Sequence, residues 1–152
     1  MTRHAPEGFR GIFRADALAC AVYSEAAGVA RIVPRAVAVP ADEDDLVTLM
    51  RWAAQTGHPL IPRGSGSSMA GGAIGDGVIV DLARFDQIGA VDAHRRTLTV
   101  GAAVLRDRLE SVANAAGLTF PVDPSSGAFA TIGGMCATHA AGSRTVRYGP
   151  LR

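Results

Sequence analysis

Pro62-Arg-Gly-Ser-Gly-Ser-Ser-Met-Ala-Gly-Gly-Ala-Ile-Gly-Asp-Gly77 and Pro121-Val-Asp-Pro-Ser-Ser-Gly-Ala-Phe-Ala-Thr-Ile-Gly-Gly134 are the stretches on which the reading of this 152-residue chain turns. Each follows a short apolar segment, which in turn follows an amphipathic helix pattern ending in Gly. One helix-strand-loop device is therefore built twice. Glycine lets main-chain N–H groups close on an anion that a side chain would hold off. Ser65, Ser67, Ser68, Ser125 and Ser126 add hydroxyl donors beside them. Two backbone cradles around one pyrophosphate are the expectation. Either run alone would serve equally well as a set of tight turns, and it is their recurrence in parallel units that favours binding.

Working outward, residues 1–33 are weakly patterned, with a short helix expected through Ala15 to Tyr23, and read as a lead-in arm. Arg35-Ala-Val-Ala-Val-Pro40 has the β-branched content of a strand stopped by proline. Asp42 then caps a first helix whose Leu46, Leu49, Met50 and Ala53 recur at helical spacing before Gly57 closes it. Pro59 to Pro62 leads into the first glycine run. Beyond it, Gly77-Val-Ile-Val-Asp-Leu82 reads as a buried strand, and Gln87–Val91 and Thr97–Gly101 as two more joined by a hairpin at Asp92–Arg96. In the second helix Leu105, Leu109, Val112, Ala113 and Ala116 share a face, with Gly117 as its cap. A third, small-residue helix is expected from Thr131 or Ile132 to Ala141, ended by Gly142. Its first residues, Thr131 to Gly134, would offer unsatisfied N–H donors and the positive end of the helix dipole.

Composition sets the limits. With 48% hydrophobic and 19% charged residues, the chain has the make-up of an ordinary globular domain. A net charge of +1 with scattered basic residues argues against a nucleic-acid partner. No run approaches a membrane span, and the N-terminus lacks the apolar core of a signal peptide, so a cytoplasmic location is expected. All 15 basic residues are arginine. Lysine chemistry is thereby excluded, and Arg63, Arg144 and Arg147 become the cations of interest. Cys20 and Cys136 are isolated and read as small buried residues, which leaves no iron–sulfur or metal site within the chain.

Two common phosphate motifs fail. A P-loop ends in Gly-Lys-Ser/Thr, and the dinucleotide fingerprint needs a third glycine where Met69 stands. Of the histidines, His4, His58 and His94 fall in arm or turn contexts and are expected to be solvated, whereas His139 adjoins a candidate site. The Asp42–Asp45 cluster suits a helix N-terminus better than a metal. Asp123, held between two prolines, either orients cofactor groups or forms an Asx-turn.

Taken in order, the Pro62 to Gly72 run, Gly77-Val-Ile-Val-Asp-Leu82, Pro121-Val-Asp-Pro-Ser-Ser126, Ala130-Thr-Ile-Gly-Gly-Met-Cys-Ala-Thr138 and Arg147-Tyr-Gly149 resemble the FAD-binding domain of the FAD-linked oxidases. This is the vanillyl-alcohol oxidase and p-cresol methylhydroxylase superfamily, and the likeness is to its D-lactate dehydrogenase and glycolate oxidase branch. The resemblance runs from Pro34 to the end and implies an α+β, PCMH-type domain of two subdomains occupying 34–152, with FAD as cofactor. It implies that Arg63, Gly64, Ser65, Gly66, Ser67 and Ser68, together with Thr131, Ile132, Gly133 and Gly134, hold the pyrophosphate. Pro121, Asp123 and Ser125 would line the cofactor, and Thr138, His139, Gly142 and Ser143 would approach the flavin. The family commonly has Asn at the position of His139. Relatives with covalently attached flavin can carry His where this chain has Ser67.

The activity so implied is oxidation of a small D-2-hydroxy acid, such as lactate, glycolate or 2-hydroxyglutarate, by hydride transfer to flavin. The family's domain extends further and is followed by a cap domain. The chain is accordingly expected to be the N-terminal part of a larger enzyme, with its second subdomain incomplete and its catalytic residues elsewhere. The resemblance leaves room for a redox partner or iron–sulfur module outside it, and the expected cytoplasmic location leaves room for peripheral attachment at the inner membrane face. The alternative is an electron-transfer subunit or an inactive fragment.

Overall fold

The structure, a computed structural model, describes residues 4–152 and divides after Arg84 into two compact units. In the first, β1 (Ile12–Arg14), β2 (Ala36–Val39), β3 (Leu60–Arg63) and β4 (Val78–Asp81) form one sheet in the order β1-β2-β4-β3. The β2–β4 and β4–β3 pairs are parallel, with Ala36 and Leu60 both opposite Val78, and β1 adds antiparallel at the edge. The two central strands are buried along Ala36–Ala38 and Val78–Val80, which is why they read as continuous apolar runs rather than alternating ones. Pro62 is tolerated because β3 is an edge strand.

Helix α1 (Ala17–Val22) starts on Asp16, whose carboxylate accepts from the Ala19 amide. Helix α2 (Glu43–Thr56) runs from its Asp42 cap to Gly57, which sits at φ +70° as a left-handed cap requires. Its inward face carries buried Ala53 and Leu49 at 0% exposure, the latter packed with Ala36, Ala38, Val78 and Val80. Burial of a Leu or Val of this kind contributes about 1.5–3 kcal/mol each. Met50, expected on that face, is 63% exposed, and Asp45 is buried in its stead. Burial works against the Asp45 carboxylate, but N–H donors from Ala41, Arg10 and Gly11 and the Arg10 charge outweigh it and hold its pKa below the ordinary range.

The second unit is organised differently. The strands expected at 87–91 and 97–101 pair as a hairpin, but only through the isolated bridges Ile88–Val100 and Asp92–Thr97. The hairpin turn carries Arg96 at φ +56° and is tied by the Arg95 amide to Asp92 Oδ1 at 2.9 Å. Gly101 lies so close to the Phe85 carbonyl that a side chain there would collide with it. Helix α3 (Arg106–Ala115) buries Leu109 and Ala113 of the expected face together with Arg106, while Leu105 is exposed. Helix α4 (Ile132–Ala137) is shorter than expected and is followed by α5 (Thr145–Tyr148). Two glycines in its first turn weaken it, and the backbone leaves the helical region at His139, φ +48°. A small core of Val122, Ala130 and Met135 supports this unit.

Candidate functional site

In the first unit the glycine run leaves the C-terminal end of β3 and returns to the start of β4. Gly66 and Gly71 take φ +77° and +80°, conformations that side chains resist. Gly66 is buried and its Cβ would stand 2.6 Å from Arg63 Nη2. Gly64, Ser67 and Ser68 are half-buried and Ser65 is exposed, so hydroxyls line the rim of a bare backbone loop. Arg63 turns back under this loop: Nη1 donates to the carbonyls of Glu25 (2.9 Å) and Ala73 (3.1 Å), and the guanidinium lies 5.2 Å above the Tyr23 ring.

In the second unit a cavity of about 620 Å³ is walled by Asp123, Ser125, Gly142 and Ser143 from the expected set, and by Arg106 and Asp107. That volume falls within the range usual for small-ligand sites. Sequence reasoning missed Arg106, which is 8% exposed and reaches the loop before the second glycine run. Its Nε donates to the Val122 carbonyl (3.2 Å), Nη1 pairs with Asp107 (3.1 Å) and Nη2 with Asp123 Oδ1 (3.2 Å). The signal for it was present in the spacing 106, 109, 113, which places it on the buried stripe of α3. Ser143 Oγ stands 3.4 Å from the other Asp123 oxygen. The Gly142 position abuts the Asp123 carbonyl so closely that any Cβ would overlap it. Asp123 therefore makes an ion pair and a side-chain hydrogen bond, tying its loop to α3 and to Ser143.

The α4 segment corrects an expectation. Its leading amides are used internally: Ile132 N–H donates to the Val104 carbonyl (2.8 Å), Gly133 to Ala102 (2.8 Å), Gly134 to Thr131 Oγ1 (3.3 Å) and Met135 to the Thr131 carbonyl (2.9 Å). Gly133 is glycine because a Cβ would meet Ala102 at 2.7 Å, a matter of packing. Thr131, Ile132, Gly133, Gly134, Thr138 and His139 stand on or beside α4 and outside the cavity lining, as does half-buried Pro121. His139 is exposed and left-handed, a conformation that Asn and His tolerate better than most residues. Cys136 is exposed rather than buried, whereas Cys20 is buried, which pushes its thiol pKa up. His58, expected to be solvated, stacks on Trp52 at 5.0 Å.

Glycine-rich turns set on an α+β scaffold, with small hydroxylated residues at their rims, define a protein that holds a nucleotide cofactor. The family described as the FAD binding domain matches residues 34–152, and the chain belongs to it, with FAD as the cofactor. The D-2-hydroxyglutarate dehydrogenase of Pseudomonas putida is 33% identical over 95% of this chain. The D-lactate dehydrogenase of Archaeoglobus fulgidus is 32% identical over 80% of it. The probable mitochondrial D-lactate dehydrogenase of Danio rerio is 37% identical over 78%. The matched parts make up only 15%, 28% and 24% of those proteins. Among solved structures, an alkyldihydroxyacetonephosphate synthase superposes with a TM-score of 0.78 at 22% identity, covering 91% of this chain and 31% of its own. A Physcomitrella patens BBE-like 1 variant gives 0.77 at 22% identity, covering 93% of this chain. These agree with the α+β, PCMH-type fold. Among the described residues no helix is long and apolar enough to cross a membrane.

Proposed function

We propose that this chain is the FAD-binding part of an oxidoreductase that oxidises a small D-2-hydroxy acid of the lactate, glycolate or 2-hydroxyglutarate class. The observation that carries the reading is the run of D-lactate and D-2-hydroxyglutarate dehydrogenases among relatives at 30% identity or more, aligned along most of this chain. FAD, when bound, supplies the acceptor for the substrate hydride. The chain's own residues bind and orient it. On this reading 1–33 is an arm and 34–152 the cofactor domain. The bare backbone of Gly64 to Ser68 and the hydroxyls of Ser67 and Ser68 would hold the pyrophosphate. Asp123, Ser125, Gly142 and Ser143 would flank the cofactor in the second unit, beside Pro121.

The residues fit such a group. Beside an anionic cofactor Asp123 would not stand as a bare charge, because Arg106 pairs with it at 3.2 Å. Thr131 to Gly134 would act by shape, since the Ile132, Gly133 and Gly134 amides are already engaged, with Thr138 and His139 lying just beyond. On the same reading the full protein would work in the cytoplasm and pass electrons to a separate redox partner.

The test mixes the full-length gene product anaerobically with D-lactate, D-2-hydroxyglutarate or glycolate, with the L-acids as controls. Bleaching of the yellow flavin band by at least one of the D-acids or glycolate is expected. A flavin-loaded protein that none of them reduces would end the proposal.

A further inference from the structure

Residues 23–32 belong to the weakly patterned arm, yet in the first unit they form a closed loop of their own. Ser24 is 0% exposed; its carbonyl accepts from the Ile32 amide at 2.9 Å and its hydroxyl from Arg31 Nε at 3.2 Å. Glu25 and Arg31 form an antiparallel bridge and an ion pair at 3.5 Å. This closed loop makes four separate attachments to the glycine run and its flanks. The Tyr23 hydroxyl donates to Asp81 Oδ2 at the end of β4. The Ala27 amide donates to the Gly66 carbonyl at 3.0 Å. The Arg63 guanidinium, over the Tyr23 ring, joins the carbonyls of Glu25 and Ala73. Gly28 passes so close to the Met69 carbonyl that a Cβ there would overlap it.

From these contacts we infer that Tyr23–Ile32 is a strap that fixes the shape of the Gly64–Gly72 cradle, with Arg63 as its strut rather than as a charge for the phosphate. The inference extends the reading that this loop receives the cofactor diphosphate. Its physical basis is preorganisation. A glycine-rich loop has many conformations to lose on binding, and a loop already held by its Gly66 and Ala73 carbonyls and by the backbone at Met69 loses fewer. An Arg that serves two carbonyls and a ring at once does so by its planar fork, which Lys cannot reproduce.

The experiment compares the full chain with Tyr23→Phe, Gly28→Val, Arg63→Lys and Arg63→Ala, using the exposed Val29→Ser as control. Two readouts are taken: amide hydrogen exchange along 64–72, and binding of FAD and of riboflavin, which lacks the diphosphate. In the strap variants exchange in 64–72 is expected to rise by about tenfold while α2 and β2 stay protected. FAD affinity is expected to fall by about tenfold, with riboflavin affinity unchanged and Val29→Ser neutral. Arg63→Lys is expected to lose as much as Arg63→Ala, and retention of FAD affinity in the Lys variant would assign Arg63 to the phosphate and overturn the strut. Unaltered exchange in both Tyr23→Phe and Gly28→Val would overturn the strap. Wild-type protein that binds riboflavin as tightly as FAD would refute the diphosphate reading instead, while the exchange data would still decide the strap.

Discussion

The two units present small-residue loops of similar composition and support them by different means. The first unit hangs its loop between parallel strands backed by an apolar helix face, with Leu49, Val78 and Ile79 almost wholly buried. The second has isolated bridges where strands were expected and a small core around Val122, Ala130 and Met135, and a buried arginine paired with the Val122 carbonyl and the carboxylates of Asp107, Glu110 and Asp123 does the positioning. Similar loop sequences are thus compatible with a scaffold held by hydrophobic burial and with one held by a polar network. The supports should respond differently to substitution.

The largest effect is expected from Leu49→Ala, which removes a fully buried side chain and should cost about 2–5 kcal/mol. Trp52 is the single tryptophan and lies against this core, so its fluorescence during denaturant unfolding reports the first unit. Arg106→Ala should follow at about 2–4 kcal/mol, because it strands Asp123 and the Val122 carbonyl, although Asp123 at 34% exposure recovers some hydration. Hydrogen exchange across α3 and α4 measures it, and a loss no larger than that of an exposed arginine would break the contrast. Gly142→Ala should cost about 1–3 kcal/mol through overpacking against the Asp123 carbonyl, read in the same way.

Acid and alkali sharpen the contrast within the first unit. The folded-state pKa of Asp45 is depressed, so its stabilisation is present above the unfolded carboxylate pKa and is lost as pH falls through the folded value. Tyr23 is opposite in sign. Burial, then its hydrogen bond to Asp81, pushes it up to about 12, so its contribution is present below the ordinary tyrosine range and fades as pH rises toward that value. Asp45→Asn should flatten the acid limb of a stability–pH curve and Tyr23→Phe the alkaline limb. The smallest effect is expected of His139→Asn, a gain of less than about 1 kcal/mol from relief of the left-handed backbone, read as a small rise in melting temperature.

Much of the first unit was legible because its signals are local. Val-rich runs bounded by Pro40 and Gly77, an Asp cap and a Gly57 stop specify β2, α2 and β4 almost to the residue. Strand β1 was not legible, since three residues carry too little pattern and its place depends on pairing Ile12 with Val39. In the second unit Gly117 ended its helix as expected, at φ +71°. The 87–101 segment did not make full strands: its pairing is confined to the Ile88–Val100 and Asp92–Thr97 bridges, with Gly89 and Gly101 donating to the Thr99 and Gln87 carbonyls. At the candidate site the turns at Gly66 and Gly71 were readable from their glycines. Arg106 was passed over because a charged residue on an apolar stripe looks like an interruption, and only its partners from 107 to 123 show otherwise. The Ile132 and Gly133 amides were misjudged for the same reason: their acceptors, Val104 and Ala102, lie far upstream in the sequence.

Pro62 carries a consequence beyond admitting the chain to its loop. A strand at the margin of a sheet invites recruitment of extended segments from other molecules, and β3 offers only four residues, one of which has no N–H to give. Intermolecular β-addition along that margin is thereby disfavoured, so the residue that opens the glycine loop also blunts an exposed strand edge.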